Sequence, residues 1–166
     1  MIIDYLDKKP DIAPSVKIFP GAIVAGEVTI KDNVSIWFNA VIRGDMAPVA
    51  IGRNTNIQDG VVVHTNTDLP TSIGDNVTVG HNAIIHAATV EDDALIGMGA
   101  TILDGAVIGR QAMVAAGCLV PPGKIVPERT LVVGNPMRIV RELTDKEIAN
   151  NHVNMEKYLQ MMADYD

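Results

Sequence analysis

An aliphatic residue returns at every sixth position along most of this chain. It falls at Ile12, Ile18, Val24, Ile30, Ile36 and Ile42. The beat resumes after a break at Ile51, Ile57 and Val63, and after a second break at Ile73, Val79 and Ile85. A five-residue step then leads to Val90, followed by Ile96, Ile102, Ile108, Val114, Val120, Val126 and Val132, for about 20 hexads in all. A fixed short period is the mark of a solenoid, and a six-residue period predicts a parallel β-helix. Three hexads close one triangular coil, so the chain should wind about seven coils.

The residues between the beats suit that shape. Gly52-Arg53-Asn54 and Gly74-Asp75-Asn76 are turn formers, as tight corners require. Ala22, Ala40, Ala83 and Ala100 sit at the fifth place, where only a small side chain lets the chain turn near the axis. Cys118 holds one of these fifth places and reads as a small buried hydrophobe. As the single cysteine it excludes an intramolecular disulfide.

Asp45-Met46-Ala47-Pro48 and Asn66 to Thr71 interrupt the beat and should widen two corners. The pattern fades at Gly134-Asn135-Pro136, so residues 1–137 are expected to form the repeat and 138–166 a tail packed on it within a single domain. Thr144 and Glu147 form a capping box. It should open a helix running to about Met162, with Ile148, Val153, Leu159 and Met162 as its apolar stripe. His152 on this helix is expected to be exposed or locally bonded.

Thirteen basic and 20 acidic residues give a net charge of −7, which argues against a nucleic-acid surface. No stretch approaches the ~18 apolar residues of a membrane span. Asp4 and Asp7 stand where a signal peptide needs basic residues, so a cytoplasmic protein is expected.

Three of the four histidines have addresses on the scaffold. Let Ile51, Ile57 and Val63 mark faces A, B and C of one coil, and Ile73, Val79 and Ile85 those of the next. His64 and His86 then share an address, directly after the face C aliphatic and one coil apart. Adjacent strands lie ~4.8 Å apart, so two outward imidazoles stacked this way can chelate one cation. A lone histidine on such a surface is ordinarily hydrogen-bonded to its surroundings, but a shared column points to metal. His81 follows Val79 by two on face B and cannot complete that site within one subunit. A ring of three copies would let His81 reach the metal from a neighbour. The same labels put Arg43 in the column of His64, and Asp59 in the column of His81. An Arg43–Asp59 bridge between subunits is therefore expected, against the alternative that both are separately solvated. Three imidazoles without thiolate suit Zn²⁺, with Co²⁺ or Fe²⁺ as alternatives, and leave a coordination position open.

Arg43-Gly44-Asp45, Asn56-Ile57-Gln58-Asp59-Gly60 and the spacing of His64, His81 and His86 resemble the γ-class carbonic anhydrase family, over the whole chain. That resemblance implies a left-handed β-helix, which general crossover rules would not give. It implies a homotrimer with interfacial zinc on His64, His81 and His86, acting on CO₂ and bicarbonate. It also implies an interface bridge through Arg43, Asp45 and Asp59. Gln58 and Asn56 would face the reacting groups, with Tyr158 near the site. The family's glutamates have no evident counterparts, because Met46 follows Asp45 and Thr65–Thr71 offers only Asp68. A metal-dependent acyl-CoA thioesterase, a hexapeptide acyltransferase and a metal-binding protein without turnover stay open beside the anhydrase.

Overall fold

The computed structural model describes residues 1–165. The hexads form a parallel β-solenoid of about seven turns, followed by one helix. Each aliphatic of the beat stacks on its counterpart one coil away. Ile42 pairs with Val63 and Val63 with Ile85 on face C. Ile51 pairs with Ile73 on face A, and Ile57 with Val79 on face B. These side chains are fully buried in one continuous core, with Ala22, Ala40, Ala83, Ala100 and Cys118 beside them. Complete burial of one such aliphatic contributes roughly 1.5–3 kcal/mol, so the stack is the main source of stability.

Face B is a separate sheet, Lys17–Ile18 through Thr130–Val133 in steps of one coil. Faces C and A are continuous, because Ile23–Ile30 and Val41–Ile51 run as single strands through the corner between them. The first insertion is therefore not a loop. Asp45 to Pro48 bulge out of the long strand, and the pairing with Ile23–Ile30 shifts register there. The second insertion does leave the wall, closed by reciprocal backbone bonds between Asn66 and Leu69.

The corners repeat as regularly as the strands. Between faces A and B a left-handed residue recurs at Asn33, Asn54, Asn76, Asp93, Gln111 and Arg129. Short amides tolerate this backbone, and here they also bond to one another. Asn33 donates to Asn54, Asn54 to Asn76, and Asn76 to Asp93, at 3.2, 3.0 and 3.1 Å.

Arg138–Glu142 form an antiparallel strand on Thr130–Val133, which closes face B at that end. The helix follows over Asp145–Asp164, with the capping box of Thr144 and Glu147 in place. It lies along face B, against Ser35–Ile36, Asn56–Ile57 and Thr78–Val79. One residue of the expected stripe is wrong: Val153 is 45% exposed, and Met155 at 2% is the buried one. At 100° per residue, Met155 continues the line from Ile148 to Met162, whereas Val153 lies well off it. His152 is exposed, 3.9 Å from Asp93 and 3.7 Å from Glu156. No helix among the described residues is long and apolar enough to cross a membrane.

Candidate metal and substrate site

His64 and His86 pair directly across adjacent strands of face C. The main chain of His64 is held from both sides. The Thr71 hydroxyl donates to the His64 carbonyl, and the Ala87 amide donates to the same oxygen. The rings incline at 57° with centroids 5.1 Å apart. His64 Nδ1 comes to 3.2 Å from His86 Nε2. Two ligands of one tetrahedral Zn²⁺ at ~2.0–2.1 Å stand ~3.3 Å apart, so these two nitrogens have the spacing of a chelating pair.

Each ring gives its other nitrogen to a carboxylate. His64 Nε2 lies 3.0 Å from Asp45 Oδ1, and His86 Nδ1 bonds Asp104 Oδ1. Asp45 also accepts from Arg43. Burial pushes the Asp45 carboxyl up, but hydrogen bonds from His64 and Arg43 and the charge of Arg43 outweigh it, leaving the group below the usual carboxylate range. Asp104 is lowered too, by hydrogen bonds from Asn66 and then His86. Both carboxylates therefore stay charged at neutral pH. The bulge that carries Asp45 explains its reach, since an unbroken hexad would carry the chain past His64.

His81 stands at the B–C corner. Its Nδ1 lies 2.7 Å from Asp59 Oδ2, and its Nε2 is 3.5 Å from the Tyr158 hydroxyl. Thus Asp59 does share the column of His81, and within one chain it serves His81 while Arg43 serves Asp45. No group of three or more His, Cys, Asp or Glu converges on one point among the described residues of the single chain. The structure brings together two histidines and leaves the third on another wall.

Gln58 and Asn56 are 5% and 1% exposed, beneath the helix. Gln58 Oε1 accepts the His81 backbone N–H at 3.1 Å. Its Nε2 donates to Asn56 Oδ1 at 3.1 Å, and Asn56 donates in turn to the Thr78 hydroxyl at 3.0 Å. Asn56 therefore braces Gln58 rather than facing the site. Tyr158 packs edge-on against Trp37, ring centroids 5.4 Å apart. Burial, then the charge of Asp59, raises its phenol above the ordinary value, so it keeps its proton across the neutral range.

A cleft of about 390 Å³ opens between the helix and face B beside Gln58, His81 and Tyr158. Phe19 and Trp37 stack in the outward column after the face B aliphatics, at 4.3 Å, and Gln58 follows them. The next two places in that column are Gly80 and Gly97. With no side chains there, Leu95, Met98, Met113 and Met161 wall the space.

Sequence reasoning missed Asp104 and Asn66. Asp104 is the second residue after Ile102 in the coil beyond His86, whereas the ligand column extended by one coil reaches Leu103, so the register points one residue short of it. Asn66 belongs to a loop whose path no periodicity describes.

The comparisons agree with this architecture. Residues 9–44 and 87–122 match the family described as bacterial transferase hexapeptide (six repeats), and residues 70–102 match the hexapeptide repeat of succinyl-transferase. A putative acetyltransferase from Bacillus cereus superposes with a TM-score of 0.97 at 42% identity, over 99% of this chain and 95% of the other. Fold and repeat thus define a left-handed β-helix of the hexapeptide-repeat class. A probable carbonic anhydrase of Methanocaldococcus jannaschii is 51% identical over 150 residues, 90% of this chain and 94% of that protein. A mitochondrial γ carbonic anhydrase of Arabidopsis thaliana is 47% identical over 93% of this chain, which spans 60% of that relative's length. The chain belongs to the γ-class carbonic anhydrase family.

Proposed function

We propose that this protein is a metal-dependent carbonic anhydrase working as a homotrimer. In this reading Zn²⁺, or Co²⁺ or Fe²⁺ in its place, is held by His64 and His86 of one subunit and His81 of the next. The observation that carries it is the 3.2 Å approach of His64 Nδ1 to His86 Nε2, each ring braced from behind by a carboxylate. Histidine backed by carboxylate is the usual preparation of an imidazole for metal. Family membership supports CO₂ as the substrate. The Arg43–Asp59 contact belongs to the same proposal, as a bridge between subunits.

A divalent cation in such a site supplies Lewis acidity to an oxygen nucleophile at neutral pH. The chain's own residues do the rest. Gln58 gives one amide hydrogen to Asn56 and has a second to offer a substrate oxygen, with its orientation fixed by the His81 N–H. Tyr158 keeps its proton and places its hydroxyl 3.5 Å from His81 Nε2. Trp37, packed on Tyr158, keeps bulk water from that flank. Metal analysis, native mass and stopped-flow CO₂ hydration of zinc- and cobalt-loaded protein test the reading. A metal-free monomer would end it, and so would a fully loaded trimer without CO₂ turnover.

The cleft favours a second reading. CO₂ needs on the order of the ~30 Å³ share of one water. A space of about 390 Å³ with apolar walls suits an acyl chain better. Hydrolysis of a panel of acyl thioesters by the same loaded protein separates the two.

A further inference from the structure

Asp104 and Asn66 lie outside the residues that the fold and the family motif bring to notice. Asp104 sits on the coil after His86, in the turn beyond Ile102, where the Gly105 amide donates to the Ala87 carbonyl at 2.7 Å. That bond ties the turn to the residue next to His86. Asp104 Oδ1 bonds His86 Nδ1. Its other oxygen, Oδ2, accepts the Asn66 side-chain amide at 2.7 Å. Asn66 comes from 38 residues earlier in the chain. It opens the loop inserted after His64, and its side-chain oxygen Oδ1 accepts the Thr67 N–H at 2.8 Å. The Asn66–Leu69 bridge closes the loop. At the two ends of the loop, the Thr65 hydroxyl accepts the Ala47 N–H at 3.2 Å, and the Thr71 hydroxyl donates to the His64 carbonyl. The loop is thus a brace from the first histidine's strand to the carboxylate behind the second.

We infer that Asp104, held by Asn66, is a positioning residue that fixes the ring of His86 with Nδ1–H toward the protein and Nε2 toward His64. This rests on the metal-site reading above. With both carboxylate oxygens engaged, the Asp104 plane is set by the loop. A charged acceptor on Nδ1 leaves one tautomer of neutral His86, the one whose free lone pair is on Nε2. The loop therefore acts on metal capture without touching the metal. As a plain surface contact the pair would be worth little, since both side chains of the His86–Asp104 pair are 31% exposed. As the partner of a ligand it sets ligand orientation, where removal typically costs 10–100-fold in affinity.

Two measurements test this on the full-length protein. Zinc affinity is read by chelator competition for the wild type and for Asp104→Ala, Asp104→Asn and Asn66→Ala, with native mass as a control. The tautomer of His86 is read by ¹⁵N NMR on metal-free protein. Asp104→Ala should weaken zinc by roughly 10–100-fold and mix the His86 tautomers. Asp104→Asn keeps an acceptor on Nδ1–H and should recover most of that loss, with Asn66→Ala in between. If Asp104→Ala does not fold, the other two variants carry the comparison. Wild-type zinc affinity with an unchanged tautomer in the folded variants overturns the inference. If the wild type takes up no zinc, the metal-site reading falls, and the metal-free tautomer measurement still decides the role of Asp104.

Discussion

His64 Nδ1 and His86 Nε2 face each other at 3.2 Å across neighbouring strands of face C, each ring held by a carboxylate on its far nitrogen. Two imidazoles at that distance can turn two lone pairs toward one cation. Replacing either by Ala should remove metal while leaving the solenoid intact, because the core is carried by Val63 and Ile85, one residue earlier in each strand. Metal content per chain and thermal melting, measured together, check this: binding falls by more than ~10-fold and the metal-free melting temperature barely moves.

His81 gives a sharper case. It is on face B, braced by Asp59 at 2.7 Å, and is not needed by the His64–His86 pair within one chain. If it is lent to a neighbouring subunit, His81→Ala should yield a trimer that holds metal weakly. Mixing His81→Ala chains with His64→Ala chains should restore one intact site in every mixed trimer, as heterologous ring geometry requires. Absence of any metal recovery on mixing would count against a shared site.

The scaffold and the histidine column were legible in the sequence because both follow from a period of six, and period fixes register. The ladder partners Ile57–Val79 and Val63–Ile85 are those the count of hexads demands. What escaped was whatever depends on deviation from the period. Asp45 reaches His64 because the strand bulges there, and Asn66 reaches Asp104 because a loop leaves the wall. The helix face departs from the apolar pattern at Val153 for a different reason. A five-residue step from Ile148 turns the side chain by about 140° away from the packed line, and apolar character alone did not reveal that.

Proton removal is the step for which the chain offers least. Met46 stands next to Asp45 with its side chain exposed, where the resemblance leads one to expect a carboxylate, and the loop's Asp68 is exposed as well. In the proposed reaction, with neither of the family's glutamates in place, protons would leave on buffer molecules. Turnover should therefore rise with buffer concentration at fixed pH and ionic strength, and Met46→Glu should lift kcat at low buffer by roughly 10-fold or more, within the range general acid–base groups supply. Flat buffer dependence in the wild type contradicts this.

Glycines differ in what they are for. A Cβ on Gly97 would stand 2.4 Å from the Ala116 nitrogen, backbone that cannot move without shifting a whole coil. Gly99 has φ +65 and open space around it, in a corner column where Asn39 and Asn82 take the same conformation. Gly97→Ala should cost at least ~1–3 kcal/mol through overpacking. Gly99→Asn should be close to neutral, because Asn accepts the left-handed region. Denaturant melts of the two variants give the comparison directly, and equal losses would show that the coil spacing is softer than the contacts imply.

Acid should loosen the helix before it touches the solenoid. The hydrogen bond from Arg141, then the backbone and hydroxyl of Thr144, lower Glu147 from its ordinary 4.5 to about 2. A carboxylate depressed on folding stabilises the native state above its ordinary pKa, and that contribution drains away as pH falls toward the folded value. The window is therefore from about 4.5 down to about 2. Glu147 is at the surface, so the effect is local to the helix start and not a collapse of the fold. Helical circular dichroism and amide exchange of the first turn should weaken across that window in the wild type. In Glu147→Gln, which keeps a capping partner but cannot titrate, the Glu147-linked part of that change should vanish. Because the same helix carries Tyr158 to the flank of His81, amide protection around Tyr158 should decline with the first turn if the helix opens as a unit, and hold if only the cap frays.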